Sequence, residues 1–161
     1  MEYIQYIETP QGHLLISASQ QGVTSVNFVE ERETVTGQPA ENKNPITEEA
    51  ARQLTAYFNK TLMEFDLPLA AKGTQFQHKV WQALLQIPYG ETASYLDIAN
   101  AIGNPKAVRA VGMANGRNPI AIVVPCHRII GSNKTLTGYA GGLPIKQFLL
   151  NLEGAQGVLW Q

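Results

Sequence analysis

The residues with the clearest chemical potential form one short stretch, Val124-Pro125-Cys126-His127-Arg128. It holds the only cysteine among the 161 residues of the chain. A thiolate is a strong nucleophile, and cationic neighbours such as histidine and arginine favour that charged form. Free cysteine is also among the most buried residue types and often packs as a small hydrophobic side chain. The local pattern therefore leaves two interpretations open, a reactive thiol and a core residue.

Two short helices joined by a tight turn are predicted upstream of the cysteine. Residues 94–97 have the pattern of a capping box, and the first helix is expected to run to Ile102. Asn104 is expected to cap the second helix, with Pro105 at its first position and its end near Asn115. This arrangement is typical of a helix-turn-helix motif.

Small side chains are frequent on the second predicted helix, at Ala107, Ala110, Gly112 and Ala114. They would let the helix approach either another helix or the groove of a duplex, and the motif alone does not separate these interpretations. Arg109 favours the second, because a long cation on such a helix can reach into a duplex.

Loops and one more helix are predicted around the cysteine. Residues 115–119 form a turn-rich loop that leads into a strand ending at Pro125. After the cysteine, the glycine-rich stretch 131–142 is suited to a pocket wall that a flat ligand approaches closely. A last helix is expected over 144–153.

The first half of the chain has the pattern of a small sheet followed by a helix. Alternating segments at 3–8, 14–19 and 23–29 predict three antiparallel strands. Residues 30–45 are polar and predict a loop or a partly disordered connection, after which Thr47 is expected to cap a helix. The balance of charge changes sign near residues 69–73, which predicts two domains, 1–71 and 72–161.

Charge and composition narrow the classes of function. The net charge of −1 combines a balance of −6 over residues 1–70 (four basic, ten acidic) with +5 over residues 71–161 (eight basic, three acidic). A basic half weakly favours a polyanionic partner. One cysteine excludes an internal disulfide, and no apolar run approaches the roughly 18 residues that span a bilayer. We therefore expect a soluble cytoplasmic protein without a zinc site.

Several motifs occur together in a fixed order: Arg109-Ala110-Val111-Gly112, Asn118-Pro119, Pro125-Cys126-His127-Arg128 and Gly138-Tyr139-Ala140-Gly141-Gly142. In this order they closely resemble the O6-alkylguanine-DNA alkyltransferases, over about residues 75–154. The resemblance implies an α+β fold, in which a small N-terminal antiparallel sheet with a helix is packed on a mostly helical C-terminal domain. That domain would contain a winged-helix-like helix-turn-helix.

The resemblance also implies the reaction. Cys126 would take a methyl or alkyl group irreversibly and stoichiometrically from O6 of a flipped guanine, and also from O4 of thymine. By similarity, His127 activates the thiol through a bridging water and Glu153 orients the imidazole. Tyr95 would donate a proton to the departing guanine. Asn118 matches the asparagine that links the helix-turn-helix to the nucleophile.

The remaining implied residues bind DNA or line the base pocket. Arg109 would take the place of the flipped base in the stack. The implied DNA-binding residues are Tyr95, Ala107, Arg109, Ala110, Gly112, Asn115 and Arg117, and the implied pocket residues are Val124, Pro125, Tyr139, Ala140 and Gly141. Arg128 would have a structural role. The partner would be double-stranded DNA containing O6-alkylguanine, bound through phosphates and the minor groove by a monomer without cofactor or metal.

Two other functions compete with alkyl transfer. A non-catalytic module that binds alkylated bases and signals repair would resemble this chain, but relatives of that type lack the cysteine. A cysteine hydrolase would use Cys126 and His127 but leaves the small-residue helix with Arg109 unexplained. One departure from the family pattern is Lys134, which stands where relatives often have a glycine suited to positive φ.

Overall fold

The structure is a computed structural model that describes residues 2–30, 34–35, 38–39 and 41–155. The described residues divide into two compact units, one ending at Lys72 and the other beginning at Gly73. The first contains an antiparallel sheet and one helix, and the second is mostly helical. The chain therefore has the α+β architecture that the sequence predicts.

Three antiparallel strands form the sheet of the first unit, in the order β1 (Tyr3–Thr9), β2 (Gly12–Ala18) and β3 (Val23–Val29). The two strands of the first hairpin pair in register over their full length. Alternate side chains of β2 are fully buried, as expected for a strand with one face on the core: Leu14, Ile16 and Ala18. The predicted three-stranded sheet is confirmed.

The stretch between this sheet and the first helix is only partly described. Two short strands, β4 (Thr34–Val35) and β5 (Gln38–Pro39), pair antiparallel within it. The sequence predicts a loop over residues 30–45. Part of that range, residues 31–33, 36–37 and 40, lies outside the described residues.

Helix α1 (Pro45–Phe58) contacts β1 and β2 and buries Leu54 and Tyr57. Its N-cap is Asn44, so the prediction that Thr47 caps the helix is wrong. Asn44 Oδ1 accepts from the Thr47 amide at 2.8 Å, and Thr47 Oγ1 accepts from the Asn44 amide at 3.0 Å. Thr47 thus completes a capping box from the third helical position, while Pro45 takes the first.

Three helices of the second unit pack against one another: α2 (Gln75–Leu84), α3 (Tyr95–Ala101) and α4 (Val108–Gly116). The capping box predicted at the start of α3 is present, and α2 also begins with a capping box, at Thr74. A buried hydrogen bond of 2.9 Å from Trp81 Nε1 to the carbonyl of Ala114 joins α2 to α4. No described helix has the length and apolar character needed to cross a membrane.

The turn between α3 and α4 differs from the prediction. Helix α4 begins at Val108 with Ala107 as its N-cap, so Asn104 and Pro105 are not its first residues. They begin a turn instead, closed by a 3.0 Å bond from the Ala107 amide to the Asn104 carbonyl. Asn followed by Pro also suits the first two positions of a type I turn, and that alternative prevails here.

The stretch around the cysteine is tied to both neighbouring helices. Residues Cys126–Arg128 form one turn of 3₁₀ helix, followed by β7 (Ile129–Ile130). Strand β7 pairs in parallel with β6 (Ala93–Ser94), which directly precedes α3. Helix α5 (Leu143–Leu152) contacts the 3₁₀ helix. These contacts bring the cysteine, the start of α3 and the end of α5 together.

Lys134 adopts a left-handed conformation, with φ of 70°. A residue other than glycine in this region costs about 1–2 kcal/mol of stability. Glycine would remove that cost, but it loses more backbone entropy on folding, which offsets roughly 0.5–1 kcal/mol of the gain. We expect Lys134→Gly to raise the free energy of unfolding by about 0.5 kcal/mol, measured by urea denaturation. The matched control is Lys106→Gly, an exposed turn position outside the positive-φ residues, which should lower stability. Equal losses from both variants would contradict this prediction.

Candidate active site

Cys126 lies in a buried environment, with 7% of its surface exposed. The segment before it is not the predicted strand but a buried turn, closed by a 3.0 Å bond from the Val124 amide to the Ile120 carbonyl. Ile122 in this turn has a φ of 72°. Cys126 and His127 lie on one turn of 3₁₀ helix, in which successive residues are rotated by about 120°.

Asn118 holds this turn together through its side chain. Its Nδ2 donates to the carbonyls of Val124 at 2.8 Å and Ile120 at 3.3 Å, while its Oδ1 accepts from the Ile120 amide at 3.0 Å. Asn118 follows the end of α4 directly after Arg117. A single side chain therefore connects the end of the helix-turn-helix to the backbone that presents Cys126.

Glu153, the C-cap of α5, is the centre of a buried polar cluster. Its Oε2 lies 2.7 Å from His127 Nε2 and 3.0 Å from Arg128 Nη2, and its Oε1 accepts from Arg128 Nε at 2.8 Å. Arg128 Nη1 also donates to the Ile87 carbonyl at 2.6 Å. The bidentate arginine pair fixes the carboxylate in one orientation against the imidazole.

Charge and burial together set the proton positions in this cluster. Burial raises the pKa of Glu153, but hydrogen bonds from His127 and Arg128 and the charge of Arg128 outweigh it and hold the pKa at about 2. Burial lowers the pKa of His127. Because an ionised carboxylate only accepts, His127 Nε2 carries the proton of the neutral ring. His127 Nδ1 then has a lone pair and no hydrogen-bonding partner among the described residues. It is the atom available to accept a proton.

These pKa shifts predict how stability depends on pH. Both pKa values are lower in the folded chain than the ordinary values of 6.5 for histidine and 4.5 for glutamate. The unfolded chain therefore binds these protons first as pH falls, and folding stability is lost in that direction. We expect the urea midpoint to fall below pH 6.5 through His127 and again below pH 4.5 through Glu153.

The exposed histidine of α2 provides the control for that pH profile. Between neutral pH and about pH 5, the urea midpoint of His78→Gln should change by as much as that of the parent chain, because His78 is exposed. A parent midpoint that stays constant over this range, or one that rises as the pH falls, would contradict the assignment of a neutral buried His127.

The thiol of Cys126 is held in its neutral form by burial. Burial raises the pKa of Cys126, while the Asn118 side chain and the charge of Lys146 act in the opposite direction. A buried thiol with a raised pKa requires a base before it can act as a nucleophile. His127 supplies one in the next position of the chain.

Lys146 is a residue of this site that the motifs did not identify. It lies on α5 with no exposed surface, and burial lowers its pKa to about 8. Its Nζ donates to the Thr137 carbonyl at 3.2 Å and to Thr137 Oγ1 at 3.3 Å. The available signal was its spacing, because Lys146 lies three and four residues before the buried Leu149 and Leu150.

Tyr95, the first residue of α3, lies beside both α4 and the glycine-rich loop. Its hydroxyl is 2.7 Å from Thr137 Oγ1. Its ring would be 3.6 Å from a Cβ placed on Gly112, so a side chain at that position would contact the ring. Tyr95 therefore connects the predicted pocket loop to the predicted DNA-binding helix.

The predicted DNA-binding residues divide between two faces of the helix-turn-helix. Arg109, Ala110 and Arg117 are exposed, while Ala107 and Gly112 are partly exposed. Asn115 is only 5% exposed and shares the inner face with Val111 and Ala114, as the helical period requires. The structure therefore removes Asn115 from the exposed face on which a DNA contact was expected.

The predicted pocket residues differ in how far they are buried. Val124 and Pro125 are buried, whereas Ala140 and Gly141 are exposed. Burial raises the pKa of Tyr139 well above its ordinary value, and its hydroxyl has no partner among the described residues. A Cβ on Gly141 would lie 2.9 Å from the Tyr139 ring, so glycine is needed for this close approach. Within the described ranges, no cluster of three or more His, Cys, Asp or Glu suits a metal ion.

Two family models match almost the whole chain. The DNA binding domain of 6-O-methylguanine DNA methyltransferase matches residues 75–155, and the ribonuclease-like domain of the same methyltransferase matches residues 3–71. The chain therefore belongs to the 6-O-methylguanine DNA methyltransferase family, which confirms the resemblance drawn from its motifs.

Individual relatives agree with this assignment. The methylated-DNA–protein-cysteine methyltransferase of Methanosarcina acetivorans is 53% identical over 154 residues, covering 95% of this chain and 99% of that relative. The constitutive methyltransferase of that name in Bacillus subtilis is 52% identical over 160 residues, covering 95% and 96%.

Solved structures of relatives have the same fold. The crystal structure of Mycobacterium tuberculosis O6-methylguanine methyltransferase is 46% identical, with a TM-score of 0.84 over 96% of this chain and 93% of that one. The structure of that organism's protein in complex with DNA is 47% identical, with a TM-score of 0.83 over 94% and 92%.

Proposed function

We propose that this chain repairs alkylated DNA by direct transfer of a methyl or alkyl group to Cys126, once per molecule. The observation that carries the proposal is the buried His127–Glu153 pair directly after the buried Cys126 in the sequence, in a chain of this methyltransferase family. The substrate is O6-alkylguanine in duplex DNA, with O4-alkylthymine as a second lesion. DNA as the partner is supported by the relative solved in complex with it.

The chemistry begins with the thiol proton. His127 Nδ1 takes this proton from Cys126 through a water, and the ionised Glu153 stabilises the imidazolium that results. The thiolate attacks the alkyl carbon, so an S–C bond forms as the bond from carbon to O6 breaks. Tyr95 gives a proton to the departing guanine. The thioether is stable, which explains why each molecule reacts once.

The helix-turn-helix would bring the lesion to the thiol. The alkylated base is flipped into the pocket, and Arg109, exposed on α4, fills the gap in the stack. Residues 72–161 would carry DNA binding and alkyl acceptance, and residues 1–71 would form a separate N-terminal domain. We further propose that the protein acts as a monomer in the cytoplasm, where a reducing environment preserves its single thiol.

The test is the yield of repaired base. A duplex with O6-methylguanine in excess is incubated with the protein, and the unmodified guanine formed is measured by chromatography after digestion of the DNA. One equivalent of guanine per protein molecule, and no more on longer incubation, is the expected result. Binding of the lesion without guanine formation would support the signalling module instead, and continued turnover would support a hydrolase.

A further inference from the structure

Three polar side chains form a continuous hydrogen-bonded path behind the proposed proton donor. Lys146 Nζ donates to Thr137 Oγ1 at 3.3 Å, and Thr137 Oγ1 lies 2.7 Å from the hydroxyl of Tyr95. Lys146 is fully buried, whereas Thr137 and Tyr95 are partly exposed. The path therefore runs from the interior of the second unit to the residue that would face the substrate.

Hydrogen-bond polarity gives this path a direction. An ammonium group has three donors and no acceptor, so the Thr137 oxygen must accept from Lys146. A hydroxyl has a single proton of its own, which Thr137 can then direct to the Tyr95 oxygen. Tyr95 receives that hydrogen bond with a lone pair, and its own proton remains free to be donated elsewhere.

We propose that Thr137 and Lys146 are positioning residues that orient the Tyr95 proton toward the departing base and replace it after transfer. This inference rests on the proposed alkyl transfer. As the bond from carbon to O6 breaks, the Tyr95 proton moves to guanine. The Thr137 proton moves to the Tyr95 oxygen, and an ammonium proton of Lys146 moves to the Thr137 oxygen. Lys146 ends as a neutral amine, and no other reactant is consumed.

The direction of this transfer is favourable. Burial lowers the pKa of Lys146 to about 8, so its ammonium is a stronger acid than an ordinary phenol, whose pKa is about 10. Losing the proton also removes a charge from a fully buried position. At neutral pH Lys146 is therefore charged before the reaction, and its buried position favours the neutral amine that remains after it.

Thr137→Val tests the proposal, because it removes the hydroxyl at nearly constant volume. We expect the single-turnover rate on an O6-methylguanine duplex to fall about ten-fold, because part of the general-acid contribution of Tyr95 would be lost. Affinity for the duplex and the rate at which iodoacetamide alkylates Cys126 should stay within about two-fold, since iodide leaves without a proton. Thr137→Ser, which keeps the hydroxyl, should restore the rate to within about three-fold of the parent.

The same substitution in a Tyr95→Phe background distinguishes an effect of Thr137 on the Tyr95 proton from an effect of Thr137 on packing. If Thr137 acts through Tyr95, then Thr137→Val should cause no further loss of rate there. A ten-fold loss in both backgrounds, an equal loss with iodoacetamide, or an unchanged rate in the single variant would overturn the proposal. A parent protein that transfers no methyl group would overturn the proposed function itself, a result distinct from any of these.

Lys146→Met provides a second measurement with a different signature. It should slow methyl transfer by a factor similar to that of Thr137→Val, and it should also slow iodoacetamide, because the charge of Lys146 favours the Cys126 thiolate. Methyl transfer that survives unchanged in Lys146→Met would exclude the lysine from the path.

Discussion

Replacement of Cys126 with alanine is expected to abolish methyl transfer while leaving affinity for an O6-methylguanine duplex within about two-fold of the parent. The thiol is the atom that would form the new bond, and no other cysteine exists in the chain to replace it. Alanine fits the buried position, because cysteine is only slightly larger and Cys126 makes no disulfide.

Two measurements on the same preparation separate chemistry from binding. Guanine formation is followed under single-turnover conditions, and duplex affinity is measured by fluorescence anisotropy. Arg109→Ala is the matched comparison, because it should weaken binding of the flipped base but leave the alkylation of Cys126 by iodoacetamide intact. Guanine formation by Cys126→Ala at more than a trace of the parent rate would contradict the assignment of the nucleophile.

Glu153→Gln is expected to have the second largest effect, on both stability and rate. It removes the carboxylate that pairs with Arg128 and leaves a buried guanidinium without its counter-charge, at a cost of roughly 3 kcal/mol. It also removes the negative charge that would stabilise an imidazolium at His127. We expect the single-turnover rate to fall by about 100-fold.

The control for this variant is Glu91→Gln, the same substitution at an exposed position of the same unit. It should change the free energy of unfolding by less than about 0.5 kcal/mol. Urea denaturation measures the stability of both variants, and methyl transfer is measured well below their midpoints. A parent-like rate of methyl transfer in Glu153→Gln would show that the Glu153 carboxylate takes no part in the mechanism. Parent-like stability would contradict the pairing of Glu153 with Arg128.

The elements that the sequence predicts correctly are those with strong local signals. The capping residue Ser94 identifies the start of α3 because its side-chain oxygen satisfies a free backbone amide. The three strands follow from alternation between turns. The cluster of His127, Arg128 and Glu153 joins residues that are distant in the sequence, so no local pattern predicts it. The family resemblance associates Glu153 with His127, and the structure places these two side chains in contact.

The elements that the sequence predicts wrongly are those where one pattern suits two structures. The apolar run before Cys126 fits a buried strand, but Asn118 binds its carbonyls from the side and closes it into a turn. Asn104 and Pro105 fit a helix start and a turn equally well. The path through Thr137 and Lys146 could not be predicted, because it depends on the conformation of the loop between them.

The most direct test of the account is the position of the methyl group after the reaction. The protein is incubated with one equivalent of O6-methylguanine duplex and digested, and its peptides are sequenced by tandem mass spectrometry. The expected result is one methyl group, on Cys126, in every molecule that has reacted. A repaired duplex with Cys126 unmodified, or with the methyl group on another residue, would contradict it.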